Sequence, residues 1–224
     1  MIFPAFIAQK NLLTMKRFVF FLTYFVISSF YAELAAQSPA EKLYYEDGAL
    51  KAQGKVVAGK REGYWYFYYP DGTTMAFENY REGKLDGLSK YYTPEGKLER
   101  RESWRMGVQH GKTTFYYPNS GSVHKTFLYE DGLYQGKSEH FFEDGTLRQR
   151  AHYNAGQLDG AYVLYNPDGS LRQKGSYKDG KEHGKWQFFD ETGKPRYEGQ
   201  YENGEKVGQW YRFKKSGKRK KMKY

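Results

Sequence analysis

Glycine spacing constrains this chain more than any other feature. Gly63, Gly87, Gly111, Gly136, Gly160, Gly184 and Gly208 follow one another at steps of 24, 24, 25, 24, 24 and 24 residues. A second series trails by nine residues, at Gly72, Gly96, Gly145, Gly169, Gly193 and Gly217, with Gly121 one residue late and Gly48 extending it backward. A third runs Gly59, Gly83, Gly107, Gly132, Gly156, Gly180 and Gly204. Three series in register mark a repeat array, in which one supersecondary unit is written many times and each copy packs on its neighbours.

The runs between glycines are strand-like. KWQFF (185–189), YWYFYY (64–69) and AYVLY (161–165) combine aromatic and β-branched residues that suit a pleated surface. Turns follow at Pro70-Asp71-Gly72, Pro94-Glu95-Gly96 and Pro167-Asp168-Gly169. There proline presets φ, the acid caps the local backbone and glycine takes the left-handed position. A second run carries one column at Tyr80, Trp104, Tyr129, Tyr153, Tyr177 and Tyr201, and another at Leu50, Leu98, Val123, Leu147 and Leu171. The two columns are six residues apart, so strand alternation predicts a shared face. The five residues Gly180–Gly184 read as a second turn leading into the next unit. The expected fold is all-β: an elongated antiparallel β-meander of stacked β-hairpin repeats, about 24 residues each and seven to eight in number. An α-helical repeat is excluded by the glycine density and the aromatic runs. Eight such units would extend the stack to roughly 75 Å.

The ends differ from this body. Lys16 and Arg17 precede an apolar run from Phe18 to Ile27, and small residues lead to Ala35-Ala36-Gln37. That is the order of a secretory signal peptide, so residues 1–36 are assigned as one, with cleavage near Ala36 and Met15 as an alternative start. The apolar stretch falls short of the roughly 20 residues that span a bilayer. Residues 37–213 form the repeat domain and 214–224 a basic C-terminal tail. The expected location is outside the cytoplasm: periplasm, outer membrane surface or extracellular space. The chain has no cysteine, hence no disulfides. Its formal +10 belongs to the ends: without Lys10, Lys16, Arg17, Glu33 and the tail's seven bases, 26 basic residues face 25 acidic ones.

The phrases Tyr177-Lys178-Asp179-Gly180-Lys181-Glu182-His183-Gly184-Lys185-Trp186 and Tyr201-Glu202-Asn203-Gly204-Glu205-Lys206-Val207-Gly208-Gln209-Trp210 resemble MORN repeats (membrane occupation and recognition nexus). They are most similar to the bacterial variant in YwqK-family antitoxin-like proteins. The resemblance covers nearly all of residues 40–217. Ser89, Thr113 and Ser138 depart from it by replacing the aromatic two residues after the glycine. The resemblance implies a hairpin stack that mediates binding or spacing, and it brings no catalytic residues.

Nothing in the body reads as catalytic. His110 and His183 share a position that Asp86 and Asp159 fill elsewhere, which reads as a polar turn slot. His140 shares an aromatic column with Phe67, Tyr91, Phe115 and Phe188, as a packing variant. His124 and His152 sit in second strands. No H-x-x-x-H, H-E-x-x-H or G-x-S-x-G motif occurs, and the glycines open no helix that could cradle phosphate. We therefore expect no enzyme, no cofactor and no metal. The candidate binding surface is Trp65, Trp104, Trp186, Trp210, Tyr153, Tyr177 and Tyr201. The candidate anionic-surface contact is Lys214, Lys215, Lys218, Arg219, Lys220, Lys221 and Lys223. A lysine-rich last hairpin also blunts an open sheet edge. The function expected is a non-enzymatic protein-binding or scaffolding module at the cell envelope. The alternatives are an antitoxin-like inhibitor of a partner protein, or a module for envelope glycan or anionic lipid. A nucleic-acid partner is disfavoured by the export signal and the neutral body.

Overall fold

The computed structural model describes residues 40–223, so the assigned signal peptide lies outside the described residues. The chain builds one open antiparallel sheet in which each strand pairs with the next. It starts with β1 (Ala40–Tyr44), β2 (Leu50–Val57), β3 (Lys60–Tyr68), β4 (Thr74–Arg81), β5 (Lys84–Leu85), β6 (Gly87–Tyr92) and β7 (Leu98–Arg105). The middle contains β8 (Val108–Gln109), β9 (Gly111–Tyr116), β10 (Val123–Glu130), β11 (Leu133–Tyr134), β12 (Gly136–Phe141) and β13 (Leu147–Asn154). It ends with β14 (Gln157–Tyr165), β15 (Leu171–Lys178), β16 (Lys181–Phe189), β17 (Pro195–Glu202), β18 (Glu205–Phe213) and β19 (Arg219–Lys221). The short β5, β8 and β11 each resume after one residue as β6, β9 and β12. The nineteen segments are therefore sixteen strands across, the meander the glycine series predicts.

Two turn chemistries alternate on the two rims. On one rim, pairs such as Ala58-Gly59 and Asp179-Gly180 have both φ angles positive (48° and 74°; 50° and 77°). These are two-residue turns of the primed type, whose twist matches the flanking strands. On the other rim Gly72 donates its N–H to the Tyr69 carbonyl while Asp71 accepts from the Thr73 N–H. This corrects one expectation. Gly180–Gly184 is not a five-residue turn: the chain reverses at Asp179-Gly180, and Lys181–Phe189 is a single strand. Gly184, at φ 73°, is a kink within that strand. His183 thus lies in a strand and not in a turn.

The rims are also tied from repeat to repeat. From Gly83 onward, each primed-turn glycine donates to a carbonyl one repeat earlier, as Gly107 does to Leu85 (2.7 Å) and Gly180 to Leu158 (2.8 Å). The polar slot before the kink glycine explains itself here. Glu62, Asp86, Gln135 and Asp159 accept the N–H of Glu82, Met106, Ala155 and Asp179, the first residue of the next repeat's turn. On the opposite rim the hydroxyls of Tyr45, Tyr69 and Tyr117 donate to the carbonyls of Tyr68, Tyr92 and Phe141.

Register defines two faces. Trp65 and Phe67 share one, called inner here, with Ala52, Gly54, Ala76, Glu78 and Tyr80; Tyr64, Tyr66 and Phe77 share the outer one. A bulge breaks the shared face expected of the tyrosine and leucine columns. Between those columns the register slips by one residue, pairing Leu98 with Tyr92 and Leu171 with Tyr165. A direct cross-strand partner shares its neighbour's face. Leu98 and Leu171 therefore leave the face of Trp104 and Tyr177.

Candidate binding surface

The inner face packs as pairs of a small residue beside a larger one. The residue two after each kink glycine lies beside a residue of the preceding strand. These pairs are Gly54 with Trp65, Ala151 with Tyr162, Gly175 with Trp186, and Gly199 with Trp210. Where the aromatic is missing the partner is large: Ser89 lies next to Glu78, Thr113 to Glu102 and Ser138 to Phe127. Each indole covers its glycine so closely that a Cβ at Gly54, Gly175 or Gly199 would sit 2.3, 2.2 or 2.1 Å from the ring. Each also donates its ring N–H to the carbonyl one residue beyond that glycine: Lys55 (2.9 Å), Ser176 (3.1 Å) and Gln200 (3.2 Å).

This places the aromatics named from sequence. Trp65, Trp186 and Trp210 are 1%, 2% and 2% exposed. They hold the sheet together, because a single layer has no second sheet to bury apolar area against and must pack its side chains laterally. Tyr177 and Tyr201 stand edge-on to Trp186 and Trp210, at 5.3 and 5.1 Å between ring centres. Tyr153 contacts Tyr134 at 5.3 Å. All three are half-buried. Trp104 belongs to this tyrosine column and not to the indole column, and its ring N–H is buried without a partner among the described residues. Burial, first of all, and then Glu182 push the Tyr177 phenol up to about 12. Burial and then Glu78 raise Tyr80 to about 12, with Arg61 opposing them.

The middle repeats fill the inner face with polar groups. Tyr80 donates to Glu78 (2.5 Å), and the Arg100 guanidinium lies over the Tyr91 ring (3.8 Å) while pairing with Glu102 (2.9 Å). Burial, followed by Glu78 and Glu102, raises the Tyr91 phenol. His140 Nε2 is buried without a hydrogen-bond partner among the described residues. Burial, then Lys125, His124 and Arg148, hold that imidazole below its ordinary range. Among the described residues no cluster of three or more His, Cys, Asp or Glu could hold a metal ion.

Hollows open at the C-terminal end, and two of them flank Met222. One, of about 330 Å³, is an inner-face cleft lined by Phe188, Tyr197, Tyr201, Lys206, Trp210 and Met222, with the Lys206 ammonium 4.6 Å from the Trp210 ring centre. Sequence reasoning named only Tyr201 and Trp210 of this group; the rest follow from knowing which parity faces inward. The other, of about 430 Å³, lies between Arg212, Lys220, Lys221, Met222 and Lys223. Most of the basic tail is therefore a built hairpin. Lys214 donates to the Lys218 carbonyl, and β19 pairs with β18. Arg219 leaves the basic group to pair with Glu198 (3.1 Å) and lie over Tyr211 (4.4 Å).

Fold and surface together define a class: an open hairpin-repeat sheet with two solvent-facing sides. Residues 85–105, 134–155, 158–179 and 182–203 match the family described as MORN repeat variant. No curated protein matches the chain. Among solved structures, similarity extends to a GtfA/B complex bound to UDP and GlcNAc (13% identity, TM-score 0.25, 61% of this chain and 26% of that one). It also extends to a TcdB2-TccC3-Cdc42 structure (11%, 0.19, 78% and 13%). A third is an alternansucrase in complex with isomaltononaose (15%, 0.15, 80% and 16%). The chain spans about a quarter or less of the length of each.

Proposed function

We propose that this chain is a non-enzymatic binding and scaffolding module that engages a protein partner at the cell envelope. The observation that supports it is the C-terminal inner-face cleft, where Phe188, Tyr197 and Lys206 line an open hollow over packed rings. Aromatic side chains beside a basic rim are the composition of interface centres. The MORN resemblance points the same way, toward binding. An antitoxin-like inhibitor would be one form of such a partner-binding protein. The test is site-specific photo-crosslinking of the full-length protein in envelope extract, with the probe at Tyr197 or Met222, and at Gln187 on the outer face as comparison. A discrete cross-linked protein that appears from the cleft positions and survives high salt is expected. Equal cross-linking from Gln187, or none from the cleft, would overturn this reading. The export part is tested by sequencing the mature N-terminus, expected within a few residues of Gln37; intact Met1 or Met15 on cytosolic protein would contradict it.

A second reading rests on the last hairpin, whose Arg212, Lys220, Lys221 and Lys223 converge on one hollow. Each lysine near an anionic surface contributes about 1 kcal/mol, screened by salt. Phosphatidylglycerol vesicles should then bind the protein at low salt and release the Lys220→Ala/Lys221→Ala variant. Retention of that variant would remove the hairpin from the contact.

A further inference from the structure

The outer face at the N-terminal end departs from the repeat by adding aromatic bulk on both strands of a pair. Tyr44, Tyr64 and Tyr66 are 57%, 60% and 41% exposed there. Phe77 joins them, stacked on Tyr64 at 4.9 Å and edge-on to Tyr66 at 5.3 Å. In later repeats the position of Tyr64 holds leucine, lysine, alanine or glutamine. The hydroxyls of Tyr44, Tyr64 and Tyr66 make none of the hydrogen bonds among the described residues, unlike those of Tyr45, Tyr69 and Tyr117 on the rim.

Cations accompany these rings. Register puts Lys42, Lys55, Lys90 and Arg101 on this part of the outer face. None of them forms an ion pair among the described residues. Towards the other end several outer-face bases are ion-paired, Lys137 and Arg150 with Glu139 and Lys185 and Arg219 with Glu198, while Lys112 and Lys174 stand without exposed tyrosines of this kind around them. The acids on the N-terminal outer face are engaged, Glu62 with the Glu82 N–H and Glu99 with Arg100. Cations without ion pairs around exposed phenols leave a surface complementary to a hydroxylated polyanion.

We propose that this face binds an anionic polysaccharide. Its sugar rings pack against Tyr64, Tyr66 and Tyr44 and hydrogen-bond to their hydroxyls, while its acidic groups lie against Lys42, Lys55, Lys90 and Arg101. Rings and cations spread over neighbouring strands suit a polymer laid across them. Stacking platforms for single-stranded nucleic acid need successive free ring faces, and here Tyr64 and Phe77 each cover a face of the other. The proposal is independent of the C-terminal cleft and stands or falls without it.

Affinity electrophoresis of the full-length protein in gels containing alginate, dextran or neither tests it, with oligothymidylate as a competitor. Retardation by alginate, absent with dextran and fading as salt rises, is expected. The Tyr64→Ser/Tyr66→Ser variant should bind alginate at least tenfold more weakly. Lys42→Ala/Lys90→Ala should also weaken binding and flatten its salt dependence, a readout that does not rely on the tyrosine variant. Lys137→Ala, in the ion-paired region, should match the parent. No retardation by alginate, equal retardation by dextran, displacement by equimolar oligothymidylate, or parental binding by both multiple variants would each overturn the proposal.

Discussion

The repeats at the two ends and those in the middle fill the same inner-face positions with different chemistry. Trp65, Trp186 and Trp210 lie over glycines; Ser89, Thr113 and Ser138 lie beside Glu78, Glu102 and Phe127. The repeat thus sets a small residue of one strand beside a larger one of the next rather than fixing the identity of either, as close packing requires. A departure balanced by its partner is a packing solution. The outer-face change at Tyr64, Tyr66 and Phe77 instead adds bulk on both strands and leaves two of its rings exposed, and that is why it is informative about binding.

This contrast can be broken at several points. The largest effect should come from Trp186→Ser, which leaves Gly175 uncovered and should cost about 3–5 kcal/mol in denaturant unfolding. A cost below 1 kcal/mol would mean the indole is not a core group. Gly175→Ala should destabilise by about 1–3 kcal/mol through overpacking, since its Cβ would meet the Trp186 ring at 2.2 Å. Gly169→Ala sharpens that result. Nothing lies within 4 Å of its Cβ position, but its φ is +80°, so only backbone strain of about 1 kcal/mol is expected. Similar losses at both glycines from steric and non-steric sites alike would deny the indole its role. On the outer face, Tyr64→Ser/Tyr66→Ser should stay within about 0.5 kcal/mol of the parent.

The middle repeats add a pH dependence through a buried histidine. Burial, aided by Lys125, His124 and Arg148, depresses His140, so the unfolded chain takes up its proton first. The stability held by neutral His140 is complete above the unfolded histidine value of about 6.5 and is lost as pH falls below it. His140→Phe, the residue type at Phe67, Phe115 and Phe188, should remove that acid-side loss from pH-dependent unfolding curves. An unchanged profile would assign the loss elsewhere.

Periodicity made the hairpin stack legible, because glycine and Pro-Asp-Gly turns are short-range signals. Other features depend on long-range register. The Gly180–Gly184 segment looked like a turn because a mid-strand kink glycine and a turn glycine are the same letter. The leucine and tyrosine columns looked coplanar because a one-residue bulge leaves no mark in the spacing. The tryptophans looked like a surface because composition cannot tell a lateral core residue from an exposed one in a single-layer sheet. The parity of Tyr64 and Tyr66 against Trp65 and Phe67 was visible in YWYFYY, but which parity faced inward was not.

The most direct test is a double-mutant cycle at Gly175 and Trp186, comparing Trp186→Ser, Gly175→Phe and the double variant, which copies the Phe127–Ser138 pair. Compensated pairing predicts that the double variant is more stable than either single variant, with a coupling of about 1–3 kcal/mol. Additive losses would show that the two positions pack independently, and the distinction between paired inner-face departures and bulk-adding outer-face ones would fall with them.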